Sequence, residues 1–379
     1  MKLIHLADLH LGRRYETIEL EDDQRAVLAE ITELIRREDP RPDAVMIAGD
    51  VYDRSVPPEW AVRLLNGFLN ELSQICPVLV ISGNHDSGER ISFLSDVLSR
   101  QNIHMAGTAA QSLKPVTIGD TDFWLMPYLD PVEVNRCLGT SAHTMEQGVQ
   151  ALLAHREPGH ARHQVLIGHF FAAGNGVAPE ISDSERNPIG GEYAVDVNVI
   201  KDFDYVALGH LHGAQQVGGL RHVRYAGSPL MYSFSEERQS KSITVVELGE
   251  DEPVIRRLPL TAGRRMHTLQ GTLEELLSRR PDPRVQADFY LFKLLDDHII
   301  QNAESRLHNL YDNVKLNYVR LDMDKIIPGG GKVPGLNDIR GKDELQLLTD
   351  FFEKQLNEPL SGEDMQILAH MMEEIRKDS

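Results

Sequence analysis

The sequence predicts an α/β layered domain, followed by a smaller α/β unit and a helical end. Two observations carry the main expectation. Short aliphatic runs recur along the chain, and each stops abruptly at polar residues. Between the early runs, apolar residues return at helical rather than alternate spacing. Strand, helix, strand, helix is the order of a layered α/β domain. A length of 379 residues suffices for roughly two or three such domains.

The strand-like runs cover residues 3–7, 44–48, 78–82, 165–168 and 205–209. Runs of this length without alternation read as strands buried on both faces. After the first run, Val27, Ile31, Leu34 and Ile35 share one helical face. After the second, Ala61, Leu64, Leu65, Phe68, Leu69 and Leu72 share another, entered through Ser55 and the Pro57-Pro58 pair that suits a helix start. Strand character returns over 223–248, most clearly at 242–248, with no cluster of metal-type residues. The first domain is therefore expected to span 1–262.

Residues 263–327 read as a small capping domain, with strand-like segments 289–294 and 314–321 flanking a helical 303–310. Residues 328–337 are rich in glycine and proline and form a linker. This stretch is not a phosphate-binding loop, because Ile326 stands where the first glycine should be and Val333 follows Lys332. In the helical segment 338–379, Leu345, Leu348, Phe352 and Leu356 line one face. Met365, Leu368, Met371, Met372 and Ile375 line a second, behind Ser361 and Asp364 as a cap-like start. Beyond a glycine-rich linker, such methionine-bearing apolar faces are expected to dock on a partner.

Composition narrows the function classes. Hydrophobic residues make up 41% and charged residues 26%, as in ordinary globular proteins. Lys+Arg is 39 against Asp+Glu 58, a formal charge of -19, so the chain does not hold nucleic acid by bulk basic charge. No apolar run approaches the ~20 residues that cross a bilayer. Asp8 arrives too early for a signal-peptide apolar region. A cytoplasmic protein without membrane association is expected. Cys76 and Cys137 form no C-x-x-C pair, so structural zinc and a disulfide framework are both unsupported.

Each of the five runs delivers the chain to a candidate metal ligand or acid–base group. The motifs read Asp8-Leu9-His10, Gly49-Asp50-Val51-Tyr52-Asp53, Gly83-Asn84-His85-Asp86, Gly168-His169 and Gly209-His210-Leu211-His212. Chemistry in an open α/β sheet gathers outside the carboxyl ends of strands, so these loops are expected to converge. Asp8, His10, Asp50, Asn84, His169, His210 and His212 offer imidazole nitrogens and carboxylate or amide oxygens. Such a set suits Mn²⁺, Fe or Zn²⁺ better than Mg²⁺. Two ions ~3.5–4 Å apart need one bridging carboxylate, for which Asp50 is the natural residue, and they can clamp a phosphodiester and activate a water.

His85 is left as the group that stabilises phosphoryl oxygens or protonates the leaving alkoxide, worth about 10²–10⁴-fold. Asp53 is expected to orient His85 through its other ring nitrogen. His5, His104, His155 and His298 fall outside the pattern, and His160 and His163 are expected in a solvated polar loop.

This ordered set resembles the calcineurin-like metallophosphoesterases, whose signature is Asp-x-His, Gly-Asp, Gly-Asn-His-Asp/Glu, a later Gly-His, and Gly-His-x-His. The resemblance implies a four-layer fold, two β-sheets sandwiched between helices. It implies one ion at Asp8, His10, Asp50 and His212, and a second at Asp50, Asn84, His169 and His210. It also implies Asp53 as the partner of His85.

Within that superfamily, residues 5–12, 49–53 and 81–86 resemble the SbcD-type nuclease subunits. The most discriminating segment is Gly227-Ser228-Pro229, followed by Phe234-Ser235-Glu236. This resemblance implies Mn²⁺-dependent 3'-5' exonuclease action on duplex DNA and endonuclease action on single strands or hairpins, in DNA break processing. It further implies an SbcC-type coiled-coil ATPase docked on the C-terminal helices, and pairing of two copies through the first domain. Related break-repair nucleases often carry histidine where Asp53 stands.

The same metal motifs would serve an enzyme acting on a nucleotide or other small phosphodiester. The small domain and terminal helices favour a large substrate, whereas the acidic charge favours the small one. Arg264, Arg265, Arg279 and Arg280 are candidate DNA contacts, with solvated surface arginines the plainer reading. A non-catalytic scaffold would tolerate decayed ligands, yet all seven are present together with His85.

Overall fold

The computed structural model describes residues 1–185 and 194–319. The expected linker at 328–337, the terminal helices at 338–379 and the end of the expected capping domain lie outside the described residues. Two six-stranded mixed sheets organise the chain. The first runs in the order Val254–Pro259, Ser242–Glu247, Lys2–Leu6, Ala44–Ala48, Val78–Ile81, Ile103–Ala106. The second runs Gln215–Val217, Leu220–Tyr225, Tyr205–Gly209, His163–His169, Thr121–Met126, Val116–Ile118. Four consecutive strands in each sheet are parallel, from Lys2–Leu6 to Ile103–Ala106 and from Leu220–Tyr225 to Thr121–Met126. The site-bearing strands therefore all end on the same edge of their sheets.

The aliphatic runs lack alternation because both faces of each strand are buried. Ile4, Leu6, Val45, Ile47, Val78 and Val80 pack with residues of the helices Glu21–Arg36 and Glu59–Ser73. Their neighbours Leu3, Ala44, Met46, Leu79 and Ile81 join Phe123, Leu125, Val165, Ile167, Tyr205 and Ala207 of the second sheet. On that sheet's far side, Trp124, Leu166, Val206 and Leu208 pack with Val134, Met145, Val149 and Leu152 of the helices Pro131–Leu138 and Met145–His155. The result is helices, sheet, sheet, helices. Each fully buried Leu, Ile or Val contributes about 1.5–3 kcal/mol to holding these layers together.

The helix Glu21–Arg36 buries Val27, Leu28, Ile31 and Ile35 and carries Glu21, Asp22 and Asp23 in its first turn, where negative charge suits the helix dipole. The helix Glu59–Ser73 begins at Pro58 and buries Ala61, Leu65, Phe68, Leu69 and Leu72. Its first turn leaves amides unpaired in any case, so proline costs nothing there.

Two buried polar groups tie the framework, one between the sheets and one within the second sheet. His5 sits between the sheets, its Nδ1 2.9 Å from the Tyr205 hydroxyl and its Nε2 3.1 Å from the Leu208 carbonyl. Asp122 accepts hydrogen bonds from Thr117, Gln164 and the amides of His160 and Ala161. Burial works against its charge, but these donors hold its carboxyl down to about 2. An ordinary carboxylate titrates higher, so this contribution is complete at neutral pH and is lost only as pH falls through the folded value. Asp122→Asn is expected to cost about 1–3 kcal/mol at pH 7. In thermal melts, the gap to the wild type should close only in strong acid.

Compact packing divides the chain into two units. One comprises Met1–Leu269, Arg280–Leu291 and His308–Lys315. The described part of the other comprises Gln270–Arg279, Phe292–Leu307 and residues 316–319. The strands Met266–Gly271, Phe289–Leu294 and Asn313–Tyr318 form a three-stranded sheet in that order. In the second unit the helix Leu273–Ser278 opens with a capping box between Thr272 and Glu275. Among the described residues, no helix is long and apolar enough to cross a membrane.

Candidate metal centre

The five motif loops leave adjacent strand ends and meet at one place. Backbone strain marks the meeting point. Asp8, His10, Asp50 and His210 all have positive φ, at 54°, 43°, 46° and 106°. Non-glycine residues adopt this region at a cost, and such cost concentrates at functional sites. The preceding glycines make the crowding tolerable. A Cβ on Gly49 would stand 2.2 Å from His169 Nδ1, and one on Gly83 would stand 2.2 Å from Asp50 Oδ1. Asp86 then ties two loops together, accepting the amides of Val51, Tyr52 and Gly83. Burial, followed by the charge of Asp50, pushes the Asp86 carboxyl up to about 7.

Each carboxylate of the centre uses one oxygen for the fold and leaves the other facing inward. Asp8 Oδ1 accepts the His210 amide at 2.9 Å, while Asp8 Oδ2 is buried without a partner. Asp50 Oδ1 accepts the His85 amide at 2.9 Å. Its Oδ2 lies 3.4 Å from His169 Nε2 and 3.6 Å from His10 Nε2. The histidines divide their nitrogens in the same way. His169 Nδ1 meets the Ala48 carbonyl at 2.8 Å, so Nε2 is the nitrogen turned toward Asp50. His10 Nε2 and His212 Nε2 face each other at 3.1 Å. Asn84 Oδ1 lies 3.1 Å from His169 Nε2 and 3.0 Å from His210 Nδ1.

The inward atoms are carboxylate and amide oxygens and ring nitrogens crowded into one buried place, and such a donor set fits divalent metal ions once any inward ring proton has left. Among the described residues, three groups place one ligand atom each within 4.8 Å of one another: Asp8, His10 and His212; Asp8, Asp50 and His169; His10, Asp50 and His85. Asp50 belongs to two of these groups, one with His10 of the expected first set and one with His169 of the expected second, and Asp8 and His10 are shared likewise. The electrostatics of Asp50 match this place. Burial opposes its charge, yet His169, itself raised against burial to about 9 by Asp50 and Asp8, holds its carboxyl well below the ordinary value. Burial drives His10 well down and His210 down to about 3, so both are neutral and able to ligate.

His85 and Asp53 lie at the rim. Asp53 meets His85 at its other ring nitrogen, as expected, but through the backbone carbonyl rather than the side chain. His85 Nδ1 donates to the backbone carbonyl of Asp53 at 2.9 Å. The Asp53 carboxylate pairs instead with Arg13 at 2.9 Å, and Arg13 also lies over the Tyr232 ring at 4.9 Å. A nearby guanidinium outcompetes a neutral imidazole for a carboxylate, and the backbone supplies an equally good acceptor. The Nδ1 proton leaves His85 Nε2 facing the centre, 4.0 Å from Asp50 Oδ2.

Several participants carry no sequence signal. Glu236 is fully buried with its Oε1 3.2 Å from His212 Nδ1, and Lys241 sits 2.5 Å from its other oxygen. Burial opposes the Glu236 charge, but Lys241 and His212 hold its carboxyl far below the ordinary range. Glu185 accepts the His212 amide at 2.6 Å. The Tyr232 hydroxyl donates to the Leu9 carbonyl at 2.6 Å, and its ring packs on His10 and His212. The Phe-Ser-Glu segment is the one clue, because it contains Glu236. His163, expected in a solvated loop, is instead buried at the start of His163–His169. Of the candidate DNA-contact arginines, Arg264 is committed to Asp23 and lies over the Phe289 ring at 4.6 Å.

Comparison with known proteins agrees with this geometry. Residues 1–214 match the calcineurin-like phosphoesterases. Residues 262–355 match the type 5 capsule protein repressor C-terminal domain. The D subunit of the nuclease SbcCD from Staphylococcus saprophyticus subsp. saprophyticus is 32% identical over 319 residues, covering 83% of each chain. The protein of the same name from Staphylococcus epidermidis is 28% identical over 380 residues, covering 98% of each. The mixed sheets flanked by helices and the ordered Asp, Asn and His loops thus have one common explanation: this chain is a phosphodiester hydrolase of the calcineurin-like class and belongs to the family of SbcCD nuclease D subunits.

Proposed function

We propose that the chain is the nuclease subunit of an SbcCD-type complex, cleaving DNA phosphodiesters with two Mn²⁺ ions. The carrying observation is the convergence of inward ligand atoms around Asp50 Oδ2, with Asp8 Oδ2 buried and unpartnered among them. Asp8, His10, Asp50 and His212 would hold one ion, and Asp50, Asn84, His169 and His210 the other. Bound there, the ions supply the positive charge that polarises a phosphodiester and activates a water. The protein's own groups do the rest. The strained loops fix the ligand atoms before substrate arrives, at a cost already met by the fold. His85 holds its Nδ1 proton against the Asp53 carbonyl, which aims Nε2 at the phosphoryl oxygens or the leaving alkoxide.

The ions would also soften the conflict between an acidic chain and a polyanionic substrate, and a partner would supply basic surface. The proposed partner is an SbcC-type coiled-coil ATPase, docking on the apolar faces of the segment 338–379, in the cytoplasm. The domain limits proposed for this arrangement are 1–262 for the nuclease and 263–327 for the cap. Pairing of two copies has support in Phe93, Leu94 and Val97, large apolar residues 70%, 52% and 56% exposed within one short segment. Phe93→Asp is expected to shift a dimer to monomer in sedimentation analysis. An unchanged dimer would place the interface elsewhere.

The purified chain, with Mn²⁺, should degrade end-labelled duplex and open hairpin DNA. Bis-(p-nitrophenyl) phosphate serves as the control for small diesters. Hydrolysis of the small diester beside DNA that stays intact, even after the ATPase is added, would contradict the proposal and favour a small-phosphodiester enzyme.

A further inference from the structure

The Gly227-Ser228-Pro229 and Phe234-Ser235-Glu236 turns lie behind His212, and they grip it from two sides. On the ring side, His212 Nδ1 donates towards Ser184 Oγ at 2.8 Å and Glu236 Oε1 at 3.2 Å. The Ser184 hydroxyl itself donates to Glu236 Oε1. On the backbone side, the His212 carbonyl accepts from the Ser228 amide and from Lys241 Nζ, both at 3.1 Å. Lys241 Nζ closes the loop, reaching Glu236 Oε2 at 2.5 Å, Ser228 Oγ at 2.8 Å and Gln239 Oε1 at 2.8 Å. Glu236 is fully buried and Lys241 nearly so.

We infer that Glu236 and Lys241 are positioning residues, an ion pair that fixes the tautomer and orientation of His212 and thereby sets the affinity of one of the two metal ions. Two features separate this from a general structural anchor. A buried ion pair is a poor source of stability, because desolvation offsets most of the attraction. And of the seven proposed ligands the pair touches one, holding both its ring and its carbonyl. His169, by contrast, holds its Nδ1 against a backbone carbonyl. A carboxylate behind an imidazole locks the proton on Nδ1, leaves Nε2 as the donor and strengthens it as a ligand. His212 is therefore the ligand whose quality depends on a distant segment, which accounts for the Gly-Ser-Pro and Phe-Ser-Glu residues in this chain.

The inference rests on the metal assignment above, so the test separates the two. Mn²⁺ binding to the full chain is measured by titration calorimetry and by the electron paramagnetic resonance signal of free Mn²⁺. The proteins are wild type, His212→Ala, and the double variant Glu236→Gln/Lys241→Met. The double variant replaces the ion pair by neutral groups of similar size, a change that folds tolerate well. The equivalent weakened in His212→Ala should weaken by about 10- to 100-fold in the double variant, with the other equivalent unchanged. Melting in metal-free buffer checks the fold, and Glu236→Gln/Lys241→Leu, which also replaces both charges, gives the same reading if the first double variant does not fold. Two equivalents bound as tightly as in the wild type would overturn the positioning role. Equal weakening of both would overturn it too, since the pair would then support the whole site. A wild-type chain that binds no Mn²⁺ would overturn the metal assignment and this inference together.

Discussion

Asp50→Asn is expected to lower phosphodiester cleavage by about 10³-fold or more, because it removes the one carboxylate that lies between the two ligand sets. The amide can still accept the His85 amide proton through Oδ1, as Asp50 does at 2.9 Å. Its NH₂ group would then point at the centre, where a donor repels a cation. The fold should persist but lose the histidine contacts that hold the Asp50 carboxyl below its ordinary value, so the metal-free variant should melt lower than the wild type. The rise in melting temperature that Mn²⁺ gives the wild type by binding the native state should be absent. Retained activity would remove Asp50 from the centre of the mechanism.

His85→Ala separates chemistry from binding. Cleavage is expected to fall by about 10²–10⁴-fold, the usual worth of a positioned acid–base group. The Mn²⁺-induced rise in melting temperature should persist, because the seven proposed ligands are untouched. The variant loses only one side-chain hydrogen bond, from Nδ1 to the Asp53 carbonyl. His85 also stands within ligand distance of His10 and Asp50, so the alternative role is concrete. Loss of the Mn²⁺ effect would make His85 a ligand and require a different acid.

Much of the centre is legible in the sequence, for a definite reason. Strands buried on both faces are unbroken aliphatic runs, and parallel strands place their carboxyl ends together. Residues separated by as many as 202 positions, such as His10 and His212, can therefore be grouped from the runs that precede them. Short or polar-led strands are less legible: Thr121–Met126 opens with buried Thr121 and Asp122, and four-residue Ile103–Ala106 carries half-buried His104, so neither reads as an aliphatic run. Buried hydrogen bonding compensates Asp122, and sequence spacing does not reveal such partners.

The same limit applies at the rim of the site. Spacing points to the Asp53 carboxylate, but competition from Arg13 leaves the backbone carbonyl to orient His85. Glu236 and Lys241 lie in a stretch without histidine or cysteine, so nothing in their spacing marks them. Their role depends on a turn that folds back over His212, a tertiary fact rather than a local pattern.

The central claim is that five loops form a two-cation centre divided by Asp50. Anomalous scattering from crystals grown with Mn²⁺ tests it most directly. Two peaks about 3.5–4 Å apart are predicted, with Asp50 between them, Asp8, His10 and His212 around one, and Asn84, His169 and His210 around the other. A single peak, or two peaks that do not share Asp50, would contradict it.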